Sequence, residues 1–199
     1  MREYKSSIKT RPFLYREIKK AADFFSTGRS IEEIEKTAIS DNLYQYNTEA
    51  RRQEVAATIS ERLRALDNHL IKRISQGNLD TSKQIALFSI LKTDRLFYEF
   101  MMEVFQEKCL LGELHISDKD FRIFFKRKAE QSQQVAAWAD YTHYKLQQVI
   151  KRVLVEAGLA KKQKDGISLS LPMLDRGVIE HIKSNGDEKF LKAMLGEIK

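Results

Sequence analysis

The chain has 199 residues and carries 35 Lys and Arg against 28 Asp and Glu, a net charge of +7. Apolar residues make up 42%, enough for a core, while a lone Cys excludes an internal disulfide and a cysteine-based zinc site, and 8 Gly and 2 Pro favour helices over a sandwich or barrel. No stretch approaches the roughly 18–20 uninterrupted apolar residues that cross a bilayer, and the basic start, MREYKSSIKTRPFLYREIKK, has no apolar signal region. The expectation is a soluble, cytoplasmic protein with no membrane partner.

The elements follow in order. Residues 11–27 place Phe13, Leu14, Ile18, Ala21, Ala22 and Phe25 at three-and-four spacing, a helix ended by Gly28. Ser30 with Glu33 reads as a capping box opening the short helix SIEEIEKTAIS. NLYQYN (42–47) is a polar, aromatic connector. From Thr48 to Gly77 a single long run carries Val55, Ile59, Leu63, Leu66, Leu70 and Ile74. NLDTSK (78–83) holds turn and cap residues, so the domain boundary is placed there: residues 1–78 form one helical subdomain and 79–199 a second. Helices are predicted over 81–91 and 94–109; the second, LFYEFMMEVF at its centre, is apolar nearly all round and reads as a central helix.

After Gly112, ELHIS is short enough for one strand, and Ser117 caps DKDFRIFFKRKAEQ. VAAWA (135–139) is an apolar patch with Trp138 as a core anchor, and a helix runs from Thr142 to Ala157. Gly158 stops it. LVEAGLAKKQKDGISLSLP (154–172) then reads as a β-hairpin: Asp165-Gly166 is a two-residue turn, Ile167, Leu169 and Leu171 alternate with serines, and Pro172 closes the strand. DRGVIEHIKSNG and DEKFLKAMLG are two further short helices. The fold class is mainly α, two helical subdomains, the C-terminal one winged-helix-like with a small hairpin. From Asp94 the order helix, strand, helix, helix, strand, strand is that of a winged helix, whose last helix enters a DNA groove beside the hairpin wing. The link 131–141 is longer than the tight turn of a simple helix-turn-helix.

On a helical wheel, Leu146, Val149, Ile150, Val153, Leu154 and Ala157 share one face. The opposite face carries Tyr144, Lys145, Gln148, Lys151 and Arg152 and no acid, with Glu156 a turn later. Lys161, Lys162 and Lys164 crowd the hairpin tip. Cations neutralise phosphates, and Gln and Arg also reach base edges. An uncapped N-terminus on this helix would offer free N–H groups to a phosphate. A charged helix face is ordinarily a solvated surface; the basic hairpin in the right order makes the binding reading its equal. Arg51 and Arg52 open the long N-terminal helix, where positive charge opposes the dipole and invites an anion, although a plain surface position is the simpler account. Lys126, Arg127 and Lys128 suit the C-terminal dipole of their helix.

Signals for an enzyme are lacking. His69, His115, His143 and His181 share no ligand spacing, and no nucleophile elbow, P-loop or dinucleotide fingerprint is present. Cys109 closes an apolar helix and reads as a buried or half-buried thiol. No catalytic residue, metal or cofactor is expected.

Together the GRSIEEI turn, NLYQYNTEARR, ERLRALD, DRLFYEFMMEVF, DKDFRIFF, WADYTHYKLQQVIKRVLVEAGL and the terminal LKAMLGEI resemble the BrxA family, the small helical component of BREX bacteriophage-exclusion systems. The resemblance covers nearly the whole chain. It rests on the order and spacing of packing and capping patterns. It implies a non-enzymatic, all-helical, cytoplasmic protein that binds double-stranded DNA beside a DNA methyltransferase, an alkaline-phosphatase-like protein and a large ATPase. The family has also been likened to an RNA-binding antitermination fold, so RNA stays open as a partner. A third reading is an interaction module that holds other defence proteins through NLYQYN, Tyr141 and Tyr144, since tyrosines are favoured at interfaces.

Overall fold

The computed structural model describes residues 3–170 and 174–195. The chain is mainly α-helical and forms two compact units, one of residues 13–93 and one of residues 1–12 with 94–199.

In the 13–93 unit, α1 (Tyr15–Ser26), α2 (Ile31–Ser40), α3 (Glu49–Arg64) and α4 (Asn68–Gln76) pack with α5 (Leu79–Thr93). Ser30 and Glu33 form the expected capping box at α2. The long run from Thr48 is two helices: Asp67 accepts from the N–H of Leu70, caps α4 and breaks the run after Arg64. Both segments keep the same apolar spacing, so periodicity alone did not show the break. Helix α5 is buried from Thr81 to Leu91 on nearly every side. Its serines are satisfied locally: Ser82 donates to the Ile74 carbonyl and accepts from the Tyr15 hydroxyl, and Ser89 donates to the Ala86 carbonyl. This helix packs on α3 and α4, whereas the sequence puts the boundary before it, at 78/79; the observed division falls at 93/94. Each fully buried Ile or Leu here contributes about 1.5–3 kcal/mol relative to exposure.

In the other unit, a 3₁₀ turn (Ser7–Lys9) packs on α10 (Asp140–Glu156) through buried Ile8. The predicted 94–109 helix is α6 (Arg95–Phe100), a π-helical turn (Met101–Phe105) and α7 (Gln106–Leu110). No Gly or Pro interrupts it, so the widened turn is a product of packing. Leu96, Phe97, Phe100, Met101 and Phe105 are all fully buried, as a central helix requires, and Phe100 stacks on Phe121 at 4.8 Å.

At the same turn, Lys128, only 3% exposed, pairs with Glu99 at 2.7 Å and with Glu103. Arg95 and the hydroxyl of Tyr4 also donate to Glu99. Burial pushes Glu99 upward, but the hydrogen bonds from Lys128, Arg95 and Tyr4 outweigh it and hold the carboxyl below its usual value. Lys128 therefore does more than complement a helix dipole. Cys109 is half-buried and its thiol is pushed up to about 11 by burial, which leaves it protonated and unreactive.

Strand β1 (His115–Ser117) leads into α8 (Asp118–Gln131), with Ser117 and Asp120 in a reciprocal capping box. The long link holds a short helix, α9 (Gln133–Ala136). Trp138 is half-buried against the His143 ring and does not anchor the core. Helix α10 ends at Glu156 with Gly158 in the left-handed region (φ 83°). There the Leu159 N–H reaches back to the Leu154 carbonyl.

The hairpin is β2 (Ala160–Gln163) and β3 (Gly166–Leu169) in a three-stranded antiparallel sheet of order β1-β3-β2. Its two-residue loop is Lys164-Asp165, one residue earlier than predicted. Gly166 is needed for a different reason: a Cβ there would lie 2.1 Å from the Ile116 carbonyl oxygen of β1. Ile167 and Leu169 are buried as the alternation requires; Leu171 and Pro172 lie outside the described residues. Helices α11 (Arg176–Ser184) and α12 (Glu188–Leu195) follow, both predicted.

Candidate nucleic-acid interface

The apolar stripe of α10 is buried at Leu146, Val149, Ile150, Val153 and Leu154. This fixes the rotation of the helix and turns Tyr144, Lys145, Gln148 and Arg152 to solvent. Antiparallel pairing sets the other wall. Lys162 is opposite Ile167, and Lys161 is opposite Ser168. Side chains alternate along a strand, so Lys162 and Lys161 point to opposite faces of the hairpin.

Between α10 and the hairpin lies a cleft of about 460 Å³. Lys145, Gln148, Lys151 and Arg152 line it from the helix, Lys162 and Lys164 from the hairpin. The floor is apolar: Val149, Val155 and Ile167. The turn is held from below, because the Asp118 N–H donates to the Asp165 carbonyl at 2.9 Å. Two of the helix and hairpin residues the sequence singles out are not in this cleft. Lys161 is on the other hairpin face, and Tyr144 lines a neighbouring groove with Phe125 and His143.

Charge in the cleft is lopsided: six cations line it against the single carboxylate of Asp118. Asp118 pairs with Lys151, whose ammonium also sits 5.0 Å from the centre of the Phe121 ring and is mostly buried. Lys151 is thus bound into the fold, and an acid from α8 reaches the face that the wheel left without one. Arg152 lies 3.5 Å from Glu156 on the exposed helix surface, a pair worth little in water. Lys145, Lys162 and Lys164 have no side-chain partner among the described residues.

Lys9 is the contributor that sequence reasoning missed. It arrives from the N-terminal 3₁₀ turn, and its ammonium approaches Thr142 at 3.5 Å. Nothing in KSSIKT announces that docking; Ile8 is a lone apolar residue with no period around it. The N-terminus of α10 differs too. It starts at Asp140, two residues early, and Ala139 supplies no side-chain cap. The carboxylate of Asp140 occupies the first turn, which counts against a phosphate docking there.

Arg51 and Arg52 belong to the 13–93 unit, where both are engaged. Arg51 pairs with Glu54 at 3.1 Å and lies over the Tyr46 ring, and Arg52 donates to the Tyr46 carbonyl at 3.0 Å. The Tyr46 hydroxyl donates to Glu17, and Tyr44 is raised by burial above the usual phenol range. The NLYQYN tyrosines are therefore engaged within the 13–93 unit, Tyr46 with Glu17 and the start of α3 and Tyr44 by burial near Glu17 and Glu35.

Among the described residues no group of three or more His, Cys, Asp or Glu is placed to hold a metal ion, and no helix is long and apolar enough to cross a membrane.

A mainly helical chain with this small sheet has a solved counterpart. The crystal structure of an uncharacterized protein from Magnetospirillum magneticum superposes with a TM-score of 0.83 over 98% of this chain and all of that one, at 19% identity, so the likeness is one of fold. Sequence carries the assignment further. The family model for BrxA matches residues 2–186, and the "BREX protein BrxA" of Bacillus cereus (strain H3081.97) is 47% identical over 194 residues, 98% of this chain and 97% of that protein. The chain belongs to the BrxA family.

Proposed function

We propose that this chain is a non-enzymatic, duplex-DNA-binding component of a BREX bacteriophage-exclusion system. Family membership supports the system. The DNA reading is carried by one observation: the cleft between α10 and the hairpin gathers six cations around one already-paired carboxylate. The order β1, α8, α10, β2, β3, with the short α9 inserted between the two helices, and the sheet order β1-β3-β2 support reading this region as a winged helix, with α10 against the groove and β2–β3 as the wing. Lys145, Arg152, Lys162 and Lys164 contact phosphates. Gln148 is the one uncharged polar side chain of the helix wall able to read a base edge, so sequence preference is weak. Lys151, tied to Asp118, positions the helix.

Fluorescence anisotropy with labelled duplexes at two salt concentrations tests this. Lys162→Ala with Lys164→Ala weakens binding equally on unrelated sequences. The slope of log K against log salt shrinks by about 0.9 per lost contact. Lys161→Ala has a smaller effect. An unchanged slope in the folded double variant removes the wing from the interface. Duplex RNA serves as competitor, because its deep, narrow major groove does not admit α10.

A second reading, an interaction module among BREX components such as the methyltransferase, phosphatase-like protein or ATPase, has its own observation. Leu110, Leu111 and Leu114 are about half exposed or more and lie close together in sequence, and Leu111 and Ile123 line one groove. A partner retained after nuclease treatment and high salt supports that reading. Loss of every partner after nuclease counts against it.

A further inference from the structure

We propose that the groove beside the cleft, between α8 and α10, takes an unpaired nucleobase. The inference rests on the nucleic-acid reading above and extends it from backbone contacts to a base. The groove has a volume of about 390 Å³, within the range of small-ligand pockets. Its walls are the aromatic rings of Phe125, His143 and Tyr144. His143 meets Phe125 edge to face at 5.6 Å and so is held in place. Tyr144 is 59% exposed, with its ring available to a second aromatic plane.

Gln147 is the informative residue. It lines the groove, is nine-tenths buried, and its side-chain amide has no hydrogen-bond partner among the described residues. Its amide still reaches solvent through the groove, so it offers a donor and an acceptor there to a partner with facing groups. The edge of a base is such a partner. Arg122 and Lys126 stand at the rim, exposed and without side-chain partners among the described residues, and no carboxylate lines the groove. They suit a flanking phosphate.

Adjacent positions of α10 serve both sites: Tyr144 and Gln147 face the groove, Lys145 and Gln148 the cleft. A backbone lying along the exposed face of this helix reaches both. A base inside an intact duplex is stacked and paired and cannot enter, so the ligand is a nucleotide in a gap, a bulge or a strand end. Stacking on Tyr144 then adds to the phosphate contacts.

Anisotropy with a perfect duplex and with the same duplex carrying a short single-stranded gap tests this at one salt concentration. The protein binds the gapped molecule roughly five- to a hundredfold tighter. Tyr144→Ala erases that preference and leaves the perfect duplex unaffected, whereas Tyr144→Phe keeps it. Gln147→Leu, matched in size, reduces it. A 2-aminopurine placed in the gap is quenched by the wild type and not by Tyr144→Ala. Equal affinity for both molecules overturns the groove and leaves the duplex reading standing. Equal loss on both molecules in Tyr144→Ala also overturns it, making Tyr144 a general contact. Failure to bind either molecule overturns both readings.

Discussion

The two units set some of their cations to different tasks. In the 13–93 unit several are turned to internal work. Arg62, 4% exposed, donates to the Phe13 carbonyl. Lys19 donates to Asp23 and the Ser75 carbonyl, Lys20 to the Leu43 carbonyl, and Arg64 bridges Glu32 and Glu35. In the other unit, Lys145, Lys161, Lys162 and Lys164 are exposed and have no side-chain partner among the described residues. Net charge, a property of the whole chain, does not separate the two cases. What separates them is whether a carbonyl or carboxylate of the fold has already claimed the cation.

Lys128, like Arg95 and Lys151 in the same unit, is claimed by carboxylates, and breaking its pairs gives the largest expected effect. Lys128→Ala leaves Glu99 and Glu103 facing each other without their shared cation and costs about 3–5 kcal/mol in urea unfolding. Lys128→Met, which keeps the volume, costs less. The same cluster sets a pH limit. Glu99 is held below its usual 4.5, so its contribution is complete above that value and is lost as pH falls through its folded-state value. Melting at stepped pH therefore shows a decline below about pH 4.5 that is smaller in Glu99→Gln.

Next in size is Gly166→Ala. The added methyl meets the Ile116 carbonyl, and roughly 2–3 kcal/mol of strain is expected. Because the clash pushes the hairpin off β1, duplex affinity falls along with the melting temperature. A stable variant with unchanged affinity would show that the wing's position is irrelevant to binding. The smallest effect sharpens the contrast: Lys145→Ala, Lys162→Ala and Lys164→Ala leave the unfolding midpoint in place while weakening duplex binding. Lysines that matter to stability would belong with those of the 13–93 unit.

Much of this was legible in advance. The capping boxes at Ser30 and Ser117, the stop at Gly158, the single strand at His115–Ser117 and the hairpin all follow from local chemistry read within a few residues. The wheel of α10 placed its buried stripe correctly because one apolar run dictates it, whereas Lys151 on the polar face is drawn in by Asp118 and Phe121. Long-range placement was not legible. The break at Asp67 looked like one more polar residue in a periodic run. The π turn at Met101–Phe105 carries no breaker. Asp118 and Lys9 reach the cleft from elements remote in sequence, and Gln147 became notable only once α8 closed over it. The hairpin loop moved by one residue because Gly166 answers to β1 and not to the turn.

The contact of Tyr4 with Glu99, across 95 positions of sequence, has a consequence for biosynthesis. Residues 1–12 belong to a body that is completed only when residues 94–199 have been made. Residues 13–93 can close on themselves while residues 1–12 wait. Cutting the chain at 93/94 would strand that segment on the wrong fragment, and the isolated C-terminal piece would lack the plug formed by Tyr4 and Ile8 and the lysine that follows them into the cleft.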